Sequence, residues 1–197
     1  MADGLPRIFL VRHGETPWSV TGQHTGRRDI PLTPGGEEMA RQIGVRLRSI
    51  PFGAVLTSPL QRASKTCQLA GFGGVAETVP DLMEWDYGEY DGLKIEEIRQ
   101  KRPGWMVLRD GCPGGESPEQ VATRADRVIA RLRAVKGDSL LFSHGHLLRS
   151  LAMRWLGLPL EIGGRFKLSA GSISILSFEH GPSEPAIGLW NDTSHLR

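Results

Sequence analysis

The sequence predicts an α/β fold, a three-layer sandwich in which helices flank a mostly parallel central sheet. Short apolar runs alternate with amphipathic segments in βαβα order. Two of those runs, Ile8 to Val11 and Ser139 to Ser143, read as buried strands. Each is followed at once by a histidine, His13 behind Arg12 and His144 behind Ser143.

The elements follow in order. After the first strand, Thr33 reads as an N-cap, Pro34 as a first-turn proline and Glu37 as first-turn acid, and Met39, Ile43 and Leu47 then recur at helical spacing. A helix from about Pro34 to Ile50 is expected, then a strand over Ala54 to Thr57 and a helix from Leu60 to Ala70. Beyond Val79-Pro80 the alternation breaks into a stretch rich in Gly, Pro, Trp and charge, with short helices at most around Lys94 to Lys101. Residues 81–118 are therefore read as a cap-like insertion over the active site, inside one domain spanning 1–197. A helix from Pro118 to Val135 carries Val121, Ala125, Val128 and Leu132. The strand to Ser143 comes next, then a helix from His146 to Leu156, ended by Gly157 with Pro159 beyond. Ser172 to Phe178 and Ala186 to Trp190 are candidate strands in the tail.

A chain of 197 residues with 39% hydrophobic content can build a proper core. Cys67 and Cys112 form no CxxC pair and read as ordinary core or loop residues, which suits a reducing cytosol. The 24 basic and 22 acidic side chains interleave to a net charge of +2, so no broad footprint for nucleic acid or anionic membrane exists. Met1 to Pro6 lacks a basic region followed by an apolar run, and no stretch approaches the ~20 apolar residues that span a bilayer. A soluble cytoplasmic protein is expected.

The two strand-end histidines point to chemistry. At the carboxyl ends of parallel strands, ligands meet loops and helix N-termini whose free N–H groups favour anions. Cleaving a phosphate monoester requires a nucleophile, neutralisation of the dianion and a proton for the leaving oxygen. Neutral His13 can attack phosphorus, and Arg12 and Arg62 can place planar, charge-assisted hydrogen bonds on phosphoryl oxygens. Arg62 stands two residues into the helix that follows Ser58-Pro59.

Arg12-His13-Gly14-Glu15-Thr16, Ser58-Pro59-Leu60-Gln61-Arg62-Ala63, Glu84 and His144-Gly145 together resemble the histidine phosphatase superfamily, also called phosphoglycerate mutase-like, from Ile8 to about Glu179. Gly22-Gln23-His24-Thr25-Gly26, Glu84-Trp85-Asp86-Tyr87-Gly88 and Arg109-Asp110-Gly111-Cys112 are similar to its phosphatase branch, which includes broad-specificity acid phosphatases and sedoheptulose-bisphosphatases. The resemblance implies a phosphohistidine on His13 and a hydrogen bond from His144 to the phosphoryl group, with Gly145 leaving room for backbone approach. It makes Glu84 the general acid and later the base that activates water, with Glu89 as competing carboxylate. Holding a proton at neutral pH requires an upward shift, for which burial against Trp85 or Tyr87 is the expected source. Ser19, Thr25 and Tyr87 are assigned to substrate binding, Ser19 and Thr25 reading almost equally as turn formers. His146 reads equally as a capping or loop-contact residue.

Phosphoglycerate mutases of this family resemble one another in an acidic residue followed by Arg-His-Tyr-Gly and in a longer insertion bearing paired arginines. This chain has Trp85-Asp86 instead, which favours water as acceptor. The expected function is hydrolysis of small phosphorylated metabolites. Mutase-type phosphotransfer and a non-catalytic phosphate-binding protein on the same fold are the alternatives. His13, His144 and His146 as a three-nitrogen zinc site is disfavoured, because neighbouring arginines would repel a cation. No metal or other cofactor is expected, and no partner beyond substrate except a second copy, since dimers occur in the wider family.

Overall fold

The computed structural model describes residues 4–196. The first three residues of the stretch read above for a leader lie outside them. In chain order the described residues form strand β1 (Ile8–Arg12), helices α1 (Pro17–Thr21) and α2 (Pro34–Leu47), strand β2 (Phe52–Thr57), helix α3 (Gln61–Leu69) and strand β3 (Glu77–Thr78). Helices α4 (Ile95–Lys101), α5 (Val107–Asp110) and α6 (Pro118–Arg133), strand β4 (Asp138–Ser143), helix α7 (Gly145–Leu156) and strands β5 (Ile173–Phe178) and β6 (Pro185–Asp192) follow.

The strands make one sheet in the order β3-β2-β4-β1-β5-β6. The first four run parallel and β5 runs antiparallel to both β1 and β6, so the expected mostly parallel sheet is present. Strand residues alternate between two cores. Ile8 and Leu10 of β1 pack with Val128 and Leu132 of α6 and Leu147 and Leu151 of α7 on one face. Phe9 and Val11 pack with Ile43 and Leu47 of α2 and Cys67 beside them on the other. Burial on both faces is why these strands read as continuous apolar runs.

Helix ends follow local chemistry. Thr33 caps α2 by accepting from the Gly36 N–H, and Ser117 and Gln120 form a reciprocal capping box on α6. Helix α2 stops at Leu47 rather than Ile50 because Pro51 disfavours helical backbone just before it. Gly157 closes α7 at φ +68°, in the left-handed region a glycine adopts without penalty. Helix α1 and strand β3 are not expected from periodicity, being too short to show any. Helix α1 does carry a local signal, since the side chains of Thr16 and Ser19 cap each other's backbone N–H.

The start of α2 packs directly on the loop that leaves β1. A Cβ on Gly36 would collide with the Glu15 backbone, and one on Gly14 with the Gly36 carbonyl. Gly36→Ala should therefore cost about 1–3 kcal/mol by overpacking, seen as a lower urea midpoint, and should lower activity because the displaced loop carries His13. Gly35→Ala, whose Cβ would meet nothing nearer than Glu15 Oε1 at 3.5 Å, should cause neither loss. Equal effects at the two glycines would refute this account.

Candidate active site

Parallel pairing sets Arg12 opposite Ser143, and the His13 N–H extends the ladder by donating to the Ser143 carbonyl at 3.0 Å. His13 and His144 thus leave the sheet side by side, with ring centroids 5.2 Å apart. The Gly171 N–H donates to the carbonyls of both Arg12 and His13, at 3.1 and 3.0 Å. His13 is only 4% exposed, and its Nδ1–H donates to the Gly14 carbonyl at 2.7 Å. The remaining nitrogen, Nε2, then carries the lone pair. Burial, followed by the charges of Arg62 and Arg12, holds the His13 imidazole well below its ordinary pKa, so the ring is neutral at pH 7.

Arg62 is fully buried rather than a solvated helix residue. Its Nε donates to His144 Nδ1 at 3.1 Å, Nη1 to the Arg28 carbonyl at 2.9 Å, and Nη2 to the Thr25 and Gly26 carbonyls at 3.1 and 2.9 Å. His144 accepts at Nδ1 and so carries its proton on Nε2, which donates to Ser58 Oγ at 2.8 Å. Both His144 nitrogens are thereby engaged. Arg12 differs: Nη1 donates to the Leu168 carbonyl, while its buried Nε has no partner among the described residues.

Glu84 is buried at the N-terminus of α7. Its Oε1 accepts from the Trp85 and Leu147 N–H groups at 2.9 and 3.0 Å, and Oε2 from the His146 N–H at 3.1 Å. A Cβ on Gly145 would stand 3.5 Å from Arg12 Nε and 3.7 Å from Glu84 Oε2, so the cation and the carboxylate flank one helix start.

These groups surround a cavity of about 170 Å³. Of the residues the sequence singled out, Arg12, His13, Ser19, Thr25, Glu84, Tyr87 and Gly145 line it, whereas Arg62 and His144 stand outside its wall and Glu89 is exposed on the surface. The Ser19 hydroxyl is already held in the α1 capping box. Sequence reasoning missed Gln23, His24 and Arg149, which also line the cavity, and His146 proves to be wall as well. Tyr87 Oη hydrogen-bonds His146 Nδ1, His24 stacks on His146, and the His24 Nδ1–H donates to the Leu93 carbonyl. For Arg149 a signal existed: it stands three residues after His146 on one helix, hence on the same face. A larger hollow of about 690 Å³ along α3 and β3 contains none of these groups.

Comparison with known proteins decides the family. The model of the histidine phosphatase superfamily (branch 1) matches residues 8–193. This chain belongs to that superfamily. It is 43% identical over 185 residues to an acid phosphatase of Mycobacterium tuberculosis, covering 92% of this chain and 91% of that protein. It is 35% identical to a sedoheptulose 1,7-bisphosphatase of Saccharomyces cerevisiae, covering 79% and 69%. A Salmonella choleraesuis protein named probable phosphoglycerate mutase is 32% identical over 96% and 94%. Among solved structures, an M. tuberculosis open reading frame superposes with a TM-score of 0.89 at 41% identity, covering 94% and 97%.

In this histidine phosphatase the segment that carries Glu84 is bracketed by a buried ion pair. Arg124 of α6 donates to the Asp81 and Met83 carbonyls before Glu84, at 2.9 and 2.6 Å. Glu116 accepts from Arg124 at 2.8 and 3.0 Å and from the Asp86 N–H after Glu84 at 2.8 Å, while its carbonyl accepts from the Trp85 indole. Burial alone would raise the Glu116 carboxyl, but the hydrogen bonds and charge of Arg124 outweigh it and hold the group below its usual 4.5. A lowered folded pKa contributes stability above about pH 4.5 that is lost as pH falls through the folded value. Arg124→Met should leave Glu116 with Arg27, at 3.4 Å, as its remaining cation and cost about 1–3 kcal/mol in urea unfolding at pH 7. That penalty should shrink as the pH is lowered below 4.5, and a penalty independent of pH would assign the loss to packing instead.

Proposed function

We propose that this histidine phosphatase hydrolyses phosphomonoesters of small metabolites at the cavity just described, with His13 as nucleophile. The observation that carries the reading is the state of His13. Its imidazole is neutral, its Nδ1–H is fixed on Gly14, and its free Nε2 belongs to a cavity shared with an unpartnered Arg12 Nε and the Glu84 carboxyl. In the first displacement Nε2 attacks phosphorus, the bond to the ester oxygen breaks, and Glu84, entering the step as the neutral acid, gives that oxygen its proton. In the second, Glu84 takes a proton from water, the oxygen attacks phosphorus, and the P–N bond breaks to release phosphate and restore His13. A phosphohistidine is general to the family.

Arg12 takes the phosphoryl oxygens, with Gly145 leaving backbone room beside them. Arg62 and His144 act from behind: Arg62 keeps His13 neutral by its charge and aligns His144, and motion of the ring off Ser58 would free the Nε2–H for a phosphoryl oxygen. Ser19, Thr25 and Tyr87 shape the substrate end. Glu84 is preferred over Glu89 because only Glu84 lines the cavity. Water is preferred over a second substrate hydroxyl because Trp85 is buried with its indole on Glu116, and Asp86 accepts from the Gly88 N–H, so neither residue brings a cation to the cavity. An acid phosphatase type of activity is suggested by the 43% identical relative. A cytoplasmic setting fits the free thiols of Cys67 and Cys112, and no helix among the described residues is long and apolar enough to cross a membrane.

Acid-quenched enzyme treated with labelled substrate should carry base-stable, acid-labile label on His13 alone. Because the His13 pKa is lowered, its neutral form persists below the ordinary imidazole value of 6.5. The pre-steady-state burst with nitrophenyl phosphate should therefore hold its rate from pH 7.5 down past 6.5. Label on Ser, Cys or Asp, or a burst that halves near 6.5, would sink the nucleophile assignment.

Glu84→Gln should slow cleavage of a sugar phosphate by ~10²-fold or more, the usual scale for a general acid. The burst with nitrophenyl phosphate, a good leaving group, should lose much less. Equal losses would make Glu84 a positioning residue.

A further inference from the structure

Arg62 and Arg12 are held very differently. The Arg62 guanidinium donates to the His144 ring and to three carbonyls. Among the described residues the Arg12 guanidinium donates to one group, the Leu168 carbonyl, and its buried Nε is left free. The direction in which Arg12 faces the cavity therefore depends on where residues 168–172 lie. That loop also holds the backbone around the nucleophile. The Ser172 carbonyl accepts from the Arg12 N–H at 3.2 Å, and the Gly171 N–H reaches the carbonyls of Arg12 and His13.

Residues 190–195 grip this loop. The Trp190 indole N–H donates to the Lys167 carbonyl at 2.7 Å, the Ser169 N–H to Asn191 Oδ1 at 2.6 Å, and the His195 Nε2–H to the Gly171 carbonyl at 3.0 Å. Every second residue from 167 to 171 is thus tied by one side chain. Strand β6 departs from regular geometry where it does this. Ile175 pairs with Leu189 but Ile173 with Asp192, so Ser174 alone faces both Trp190 and Asn191, a β-bulge. Asn191 sits in the bulge at φ +57°, the one non-glycine with positive φ among the described residues. Glycine would adopt that backbone without penalty but has no amide oxygen. Asparagine tolerates it and supplies the acceptor. Bulges re-aim side chains, and this one aims Asn191 at the loop, since Trp190, Asn191 and His195 all lie outside the cavity lining.

We infer that Asn191 is a positioning residue for phosphoryl transfer: through the Ser169 N–H it fixes the loop whose Leu168 carbonyl aims the Arg12 guanidinium at the phosphoryl oxygens. Trp190 and His195 fix the same loop on either side. The inference rests on the hydrolase reading above, and it extends the working parts of the enzyme to a bulge that never touches substrate. Hydrogen bonds from a planar guanidinium depend on its orientation, and misplacing a group at the site by about 1 Å can cost ~10²-fold in rate.

The test on the full chain compares Asn191→Gly, which keeps the left-handed backbone and removes the acceptor, with Asn191→Asp, which keeps both. Vanadate supplies the readout, because it takes the five-coordinate shape of a phosphoryl group in transfer and its Ki does not depend on the fraction of enzyme that is folded. Asn191→Gly should raise that Ki and lower kcat/KM for nitrophenyl phosphate together, each by ~10-fold or more. Asn191→Asp should stay near wild type in both. Trp190→Phe, which keeps a ring against Phe166 and removes the indole N–H, should shift both in the same direction by less. With Arg12→Met there is no guanidinium to aim, so adding Asn191→Gly should leave the vanadate Ki where Arg12→Met set it. A Ki unchanged by Asn191→Gly, or an equal rise in Asn191→Asp, would overturn the inference. So would the same increment on top of Arg12→Met, which would move the effect to His13 or the fold. Failure of the underlying reading is separately visible, as absence of label on His13 in the wild type.

Discussion

The parallel pairing of β1 with β4 is the constraint on which the rest depends. Both strands are apolar on both faces, so burial alone sets their register weakly, since a slip of two residues would return apolar side chains to both cores. Polar groups at the two ends do the setting. At one end the Arg7 N–H and guanidinium bind the Asp138 carboxylate, and the Ser139 N–H donates to the Arg7 carbonyl. At the other, the His13 N–H binds the Ser143 carbonyl, and Gly171 grips the carbonyls of Arg12 and His13. With both ends pinned, two histidines 131 residues apart in sequence leave the sheet at one level.

The electrostatics follow from that placement. Arg12 and Arg149 line a small cavity together with the Glu84 carboxyl, and the nearby imidazoles of His13, His144 and His146 are all held well below their ordinary pKa. Burial is the largest cause for each, and the arginines add to it. Arg12, which faces the cavity, therefore both offers a site to an anion and helps to keep the nucleophile unprotonated. Arg62 serves the second purpose from outside the cavity, its charge balanced by carbonyl dipoles of residues 25, 26 and 28 and its Nε fixing the His144 ring. Lysine has neither the number nor the geometry of donors for that task.

Most of the architecture was legible because each element carried its own signal. Thr33-Pro34, the 3.6-residue spacing of Met39, Ile43 and Leu47, and Gly157 gave helix limits close to those observed. The strand-end histidines were legible for the same reason, since apolar runs and the residues after them can be read locally. Arg149 and His24 were not, because their membership of the site depends on which loop folds over which helix end. The engagement of both His144 nitrogens was also hidden, as it requires Arg62 and Ser58 to arrive from another strand end. Glu84 could be chosen over Glu89 only by resemblance; in three dimensions the choice is burial at the start of α7 against exposure.

The segment around Glu84 explains why residues 81–118 broke the pattern. It must carry a carboxylate to the end of the sheet without forming strand or helix there, so its backbone polar groups need partners from elsewhere. Arg124, Glu116 and the Asp86 side chain supply them. The chain then has to turn back against itself: a Cβ on Gly88 would collide with the Pro113 carbonyl, and one on Gly115 with the Asp86 carbonyl. Gly88 also sits at φ +51°, where glycine carries no penalty. Trp85 and Trp105 fill the space beneath and satisfy their indole N–H groups on the Glu116 and Gly111 carbonyls. The glycines, tryptophans and charges that made the stretch unreadable as regular structure are thus the groups that hold Glu84 on α7 and Tyr87 on His146.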